Sequence, residues 1–233
     1  MELLPLVLTI KIACITILIL VIPALPLSYW LSIARGWVVN VVELCVALPL
    51  ILPPTVLGFY MLIWFGEGAW AGDVLRTLGI QPIFSFEGVI LASVVYNLPF
   101  MILPLVSGFR SIPQGIHEAA RMCGHSSWRI VWSVLLPMMR SNIMVAMIMT
   151  MMHTIGEFGV VMMVGGNIPN ETRVMSIALY DEVQALNYQQ AHWYAGFLLV
   201  VSIVALLIVF RLYETRSTHG ALYKHFTVLS RER

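Results

Sequence analysis

Three groups of residues stand out by type and spacing. Glu118-Ala119-Ala120 is followed after three residues by Gly124, and after nine more by Val134-Leu135-Leu136-Pro137. This is docking chemistry. Alanines let a partner surface approach closely, a carboxylate can cap a helix or pair with an arginine, and glycine supplies a turn that other residues resist. In the second group, His153 and Glu157 lie four residues apart, on one face if their segment is helical and close enough to share a hydrogen bond. The third comprises Gly156, Gly159, Gly165 and Gly166, whose backbone donors could guide an anion without a full charge. No catalytic residues are assigned. The sequence lacks HExxH, GxSxG and the GxxxxGK[ST] phosphate loop, so this chain is not expected to hydrolyse ATP alone. Cys14, Cys45 and Cys123 are far apart and form no CxxC pair. They read as reduced, small apolar residues, with no metal site expected.

The elements that must position these residues are membrane spans. The 233 residues are 60% hydrophobic and 11% charged, with a mean hydropathy of +0.89. Soluble domains carry about 25% charged residues. Apolar runs at about 4–32, 41–65, 86–109, 139–164 and 193–213 are each long enough to cross roughly 30 Å of hydrocarbon. The expectation is an all-α membrane protein of about five transmembrane helices, a single domain over 1–233 with its core at about 4–213 and a tail at 214–233. The first run begins with Glu2 and lacks a small-residue cleavage site, so it reads as a mature span. Lipid is an expected partner and nucleic acid is not.

Charge sets the orientation. With the N-terminus outside, ten lysines and arginines fall on inner segments, among them Arg35, Arg110, Arg121, Arg129 and Arg140. Only Arg76 and Arg173 fall on outer loops. The positive-inside rule then places the C-terminus and residues 110–137 in the cytoplasm. Lys11 sits in the first span near its outer end, where it can snorkel. Glu43 lies near the inner end of the second, where snorkelling or an arginine partner is expected. Pro23, Pro26, Pro49, Pro53, Pro54, Pro99 and Pro104 fall within the spans. Their kinks suit either a lined pathway or packing alone. Residues 66–85 read as an exposed turn region with one short helix, and the basic tail from Thr215 as lying along the inner surface.

Two short helices are expected at about 111–132. Ser111-Ile112-Pro113 is a helix-start signal, and Ile116, Ala119, Ala120 and Cys123 follow at helical spacing. Gly124 is the joint, Ser126 or Ser127 caps a second short helix through Trp128 and Trp132, and Pro137 opens the next span.

The pattern EAA-x3-G-x9-(I/V)-x-L-P resembles the cytoplasmic coupling loop of ABC importer permeases, with Val134 where isoleucine is usual. The resemblance extends over essentially the whole chain. Leu48 to Gly58 looks like the LPLVLPPxVxG stretch of molybdate permeases, and Gly156-Glu157-Phe158-Gly159 is shared by molybdate, tungstate and sulfate permeases. Asn167 to Arg173 is similar to the NIPGETR segment of molybdate permeases, with Asn170 replacing glycine, and Ile177 to Asp181 also fits that group. The resemblance implies the type I ABC importer permease fold in a prokaryotic cytoplasmic membrane. It further implies a homodimer, two ATPase subunits that carry the ATP and magnesium, and an external oxyanion-binding protein, with no cofactor on this chain. Molybdate is the implied cargo, with tungstate or sulfate as alternatives. An ion channel or an intramembrane enzyme is the rival from another class.

Roles follow from that resemblance. Glu118, Ala119, Ala120, Gly124, Leu136 and Pro137 are the expected ATPase-coupling residues. Gly156, Glu157, Gly159 and His153 are candidates for a pathway or gate. A carboxylate repels an oxyanion, so Glu157 is expected to hold a gate or a hydrogen bond between helices and not to ligate the cargo. A simple polar packing pair with His153 is the alternative.

Overall fold

The computed structural model describes residues 3–124 and 126–229; the side chains of His117, Ser127, Trp128 and residues from 213 onward lie outside the described set. The described residues form twelve α-helices and one π-helical turn, without strands. Three segments are long and apolar enough to cross a membrane: α1 (Leu4–Ile33), α5 (Phe86–Arg110) and the Tyr188–Leu212 part of α12. Two bent pairs raise the number to five if each makes one crossing.

The second expected span is the first bent pair, α2 (Trp37–Ile51) and α3 (Pro54–Phe65), which meet at 115°. Its break follows from Pro53-Pro54. Two adjacent prolines remove two backbone donors and push the preceding residues out of the helical region. Leu52 and Pro53 both have ψ near 135°. Single prolines do not break their helices: Pro23 and Pro26 stay inside α1, and Pro99 and Pro104 inside α5.

The fourth expected span, 139–164, is also revised. Its long helix is α9 (Arg140–Gly156), and α10 (Gly159–Gly165) is separate. Preceding α9 are α7 (Ser127–Ile130), a π-helical turn (Val131–Leu135) and α8 (Leu136–Met138). The 131–138 segment meets α9 at 68°. Pro137 thus stands in the first turn of α8, ahead of the bend. The bend is at Met139, with φ −102° and ψ 21°.

Side-chain bonds fix the relative directions. Lys11 Nζ stands 4.3 Å over the Phe86 ring, Ser28 donates to the Ile102 carbonyl at 3.4 Å, and Arg110 donates to the Leu31 carbonyl at 3.2 Å. These pairs keep nearly constant sequence offset, so α1 and α5 run parallel. The α2–α3 pair must return the chain between them. Asn142 bonds the Pro104 carbonyl and His153 bonds Asn97, so α9 runs antiparallel to α5. Arg35, Arg110, Arg121, Arg129 and Arg140 consequently gather at one end, with Arg76 and Arg173 at the other.

The core lies among α1, α5 and α9, around Leu20, Leu31, Met101, Leu105, Met139 and Ala146. Gly108 permits close contact there: a Cβ on it would stand 2.9 Å from Asn142 Cβ. The 66–85 region contains the expected short helix, α4 (Trp70–Thr77). Arg76 on it donates to the Phe65 and Gly66 carbonyls at 3.1 and 2.7 Å, satisfying orphan acceptors at the end of α3. α11 (Met175–Gln184) leads to α12 (Tyr188–Leu229), which runs on from the last span without a break. The tail to Leu229 thus continues that helix; Arg231 and Arg233 lie outside the described residues.

Candidate coupling surface and gate cavity

The coupling segment begins where α5 ends. Ser111 donates to the Gly108 carbonyl at 2.7 Å and so closes α5; the N-cap position of the next helix is taken by Pro113, which has no polar side chain to cap it. That helix, α6 (Gln114–Met122), starts after Pro113, whose ψ is 136°. Gly124 has φ +76°, and a Cβ there would meet nothing within 4 Å. Its requirement is backbone freedom, not space. Ser126 Oγ accepts from Arg129 N at 3.4 Å and caps α7.

The two alanines have different surroundings. Ala120 packs in the core cluster that includes Ile130 and Leu135, whereas Ala119 is exposed. Only Ala119 of the pair offers a close-approach surface. Glu118 is exposed and has no hydrogen-bond or ion-pair partner among the described residues, so its expected internal cap or arginine bond is not formed. Met122 and Trp132 are also exposed, Leu136 is half-buried and Pro137 exposed.

The pathway candidates come together. Gly156, Glu157, Gly159 and His153 line one cavity of about 500 Å³, with Pro54 and Thr55 from the start of α3, Tyr96 from α5, Met152 and Phe158. Gly159 is required for closure against α3, because a Cβ on it would lie 2.8 Å from Pro54 Cβ. Gly156 has open space around it. Gly165 and Gly166 do not line this cavity. A Cβ on Gly165 would collide with Val89 at 2.8 Å, and Gly166 ends α10 with φ +69°.

His153 and Glu157 do not bond each other. α9 ends at Gly156 and Glu157 has ψ 128°, so the four-residue helical relation fails at its last residue. Glu157 is 5% exposed, and its Oε1 accepts from Val160 N at 3.0 Å, capping α10. Its carbonyl accepts from Ser176 Oγ on α11. The link between elements is thus made by backbone, and the carboxylate works locally. His153 Nδ1 lies 3.1 Å from Asn97 Oδ1. Asn97 Nδ2 donates to the Ser93 carbonyl at 2.8 Å, leaving its oxygen to accept from the imidazole. The His153 ring stacks on Phe100 at 3.8 Å and lies 4.7 Å from Tyr96. Asn97 was missed from sequence, although it is a lone amide in the apolar 86–109 run.

A third arrangement holds the opposite end. Asn167 Nδ2 donates to both Asp181 oxygens at 3.2 and 3.1 Å, and Arg173 Nε is 3.0 Å from Oδ2. Thr172 Oγ1 accepts from Ile168 N and donates to the Gly165 carbonyl, both at 2.8 Å. Asn170 has φ +70°. Asparagine tolerates this region better than most non-glycine residues, which accounts for its standing where the resembling segment has glycine. Among the described residues no cluster of histidine, cysteine and carboxylates could hold a metal.

Comparisons place this geometry among transporters. The molybdenum transport system permease protein ModB of Azotobacter vinelandii is 38% identical over 216 residues, covering 92% of this chain and 94% of the relative. The sulfate transport system permease protein CysW of Synechocystis sp. is 31% identical over 173 residues, covering 74% and 62%. In fold, the chain matches a chain of the crystal structure of a bacterial alginate ABC transporter in complex with an alginate pentasaccharide-bound periplasmic protein. The TM-score is 0.67 at 16% identity, covering 88% of this chain and 74% of that one. Residues 24–217 match the model of the binding-protein-dependent transport system inner membrane component family, and the chain belongs to that family.

Proposed function

We propose that this chain is the membrane-spanning subunit of an importer that carries molybdate across the cytoplasmic membrane of a prokaryote. The observation that carries the cargo is the 38% identity to a molybdenum permease along 94% of that relative's length. The Asn167–Arg173–Asp181 network supports it, because it joins the two outer motifs that resemble molybdate permeases. Energy comes from two separate ATPase subunits, which dock on α6 to α8 and hold the ATP and magnesium. An external binding protein delivers the oxyanion, and a second copy of the chain completes the passage. The end holding Arg35, Arg110, Arg121, Arg129 and Arg140 faces the cytoplasm, with the N-terminus outside. Gly156, Glu157, Gly159 and His153 form part of the gate.

The test is uptake of labelled molybdate in cells that lack their own molybdate permease, with this chain co-expressed with its ATPase and binding protein. Molybdate accumulation that requires ATP hydrolysis is expected. Sulfate accumulation without molybdate would move the cargo to the alternative.

A further inference from the structure

Arg110 is the last residue of α5, and three residues later Pro113 leads into α6. Its guanidinium joins three helices. Nη1 and Nη2 donate to the two Glu43 oxygens at 3.2 and 3.3 Å, and Nη2 also donates to the Leu31 carbonyl at 3.2 Å. The Leu31 carbonyl belongs to the last turn of α1, where acceptors lack helical partners. A guanidinium fork on a carboxylate fixes direction as well as distance.

Glu43 sits centrally on the contact stripe of α2. The buried residues of that helix are Val39, Val46 and Pro49, and positions 39, 43 and 46 share one face. Val39 and Val46 pack in the cluster with Leu105 and Phe109 of α5. From Glu43, α2 runs eight residues to Ile51, roughly 12 Å at the helical rise. There it turns through 115° into α3, whose Pro54 and Thr55 line the gate cavity.

We infer that Arg110 and Glu43 are a positioning pair that transmits movement of the coupling segment along α2 to the gate cavity. The pair is half-exposed, and such pairs contribute little to stability. A role in holding the fold is therefore not its main effect. The inference rests on the importer reading only in requiring an ATPase that pushes on α6. It does not depend on the cargo.

The experiment uses the full chain assembled with its ATPase in lipid nanodiscs, with Cys14, Cys45 and Cys123 changed to serine and Thr55→Cys as reporter. Maleimide labelling of position 55 is timed with and without ATP and vanadate. The parent should show an ATP-dependent change in rate. Glu43→Gln and Arg110→Gln should reduce that change about fivefold or more while retaining ATP hydrolysis and thermal stability. The exchanged pair Glu43→Arg with Arg110→Glu should recover it. The inference is overturned by no ATP-dependent change in the parent or an undiminished change in both single variants. It is also overturned by losses that track thermal stability or by an exchanged pair that recovers nothing. Molybdate is absent from this assay, so failure of the cargo assignment would appear in uptake and not here.

Discussion

Gly159 and Pro54 meet so closely that a single methyl between them would leave its carbon 2.8 Å from the proline Cβ. Two motifs more than a hundred residues apart thus become one wall of the cavity lined by His153 and Glu157. Gly159→Ala should separate α10 from α3, at a cost of about 1–3 kcal/mol from overpacking. Gly156→Ala meets nothing within 4 Å and should cost less stability. Thermal unfolding of the two purified variants checks the order; equal midpoints would contradict it.

Gly124 occupies the left-handed region at φ +76°. A Cβ there costs about 1–2 kcal/mol whatever the surrounding space. Gly124→Val adds β-branching and should distort the joint between α6 and α7. Membrane insertion should survive, while uptake falls and the ATPase either dissociates or hydrolyses ATP without transport. Normal uptake at matched expression would remove the joint from the mechanism.

The Glu157 carboxylate accepts from Val160 N at the start of α10. Glu157→Gln keeps an oxygen for that donor and should retain substantial molybdate uptake. Glu157→Ala leaves a buried donor unsatisfied, at a cost of about 1–3 kcal/mol, and should lose far more. If both variants are equally inactive at matched expression, the charge matters and the cap does not.

Asn170 adopts φ +70°. Asn170→Gly should be neutral or slightly stabilising, and Asn170→Ala should destabilise by about 1 kcal/mol. The shift in thermal midpoint between these variants is the measurement. A more stable alanine variant would show that backbone strain is not what limits this position.

Topology is checked by single-cysteine labelling in sealed cells. Positions 73 and 171 should react from outside and position 121 should not. Ready labelling at 121 would reverse the proposed orientation.

Much of this was legible because local rules dominate. Apolar length located three spanning helices and the two bent pairs, the 66–85 turn region holds the expected short helix, and Gly124 and Ser126 followed turn and capping chemistry. The proline reading gave kinks without ranking them: the adjacent Pro53-Pro54 break a span, while Pro99 and Pro104 stay inside α5. The His153–Glu157 reading failed because spacing implies a shared face only while the helix continues, and it stops at Gly156. The meeting of Gly159 with Pro54, and of His153 with Asn97, depends on tertiary packing that no periodicity in one segment encodes.

Tyr194 packs the first turns of α12 against Met175 and Ala178 of α11, and Ala191, nearby in sequence, is buried. Only 6% of its apolar window is buried within the chain, compared with 56% for α5. The last helix therefore rests on α11 at its foot and along α9, where Ala205 is buried, but most of its apolar surface is left uncovered by this chain. Surroundings outside this chain must cover the remaining surface. Changes in bilayer thickness should redirect this helix before they disturb the core.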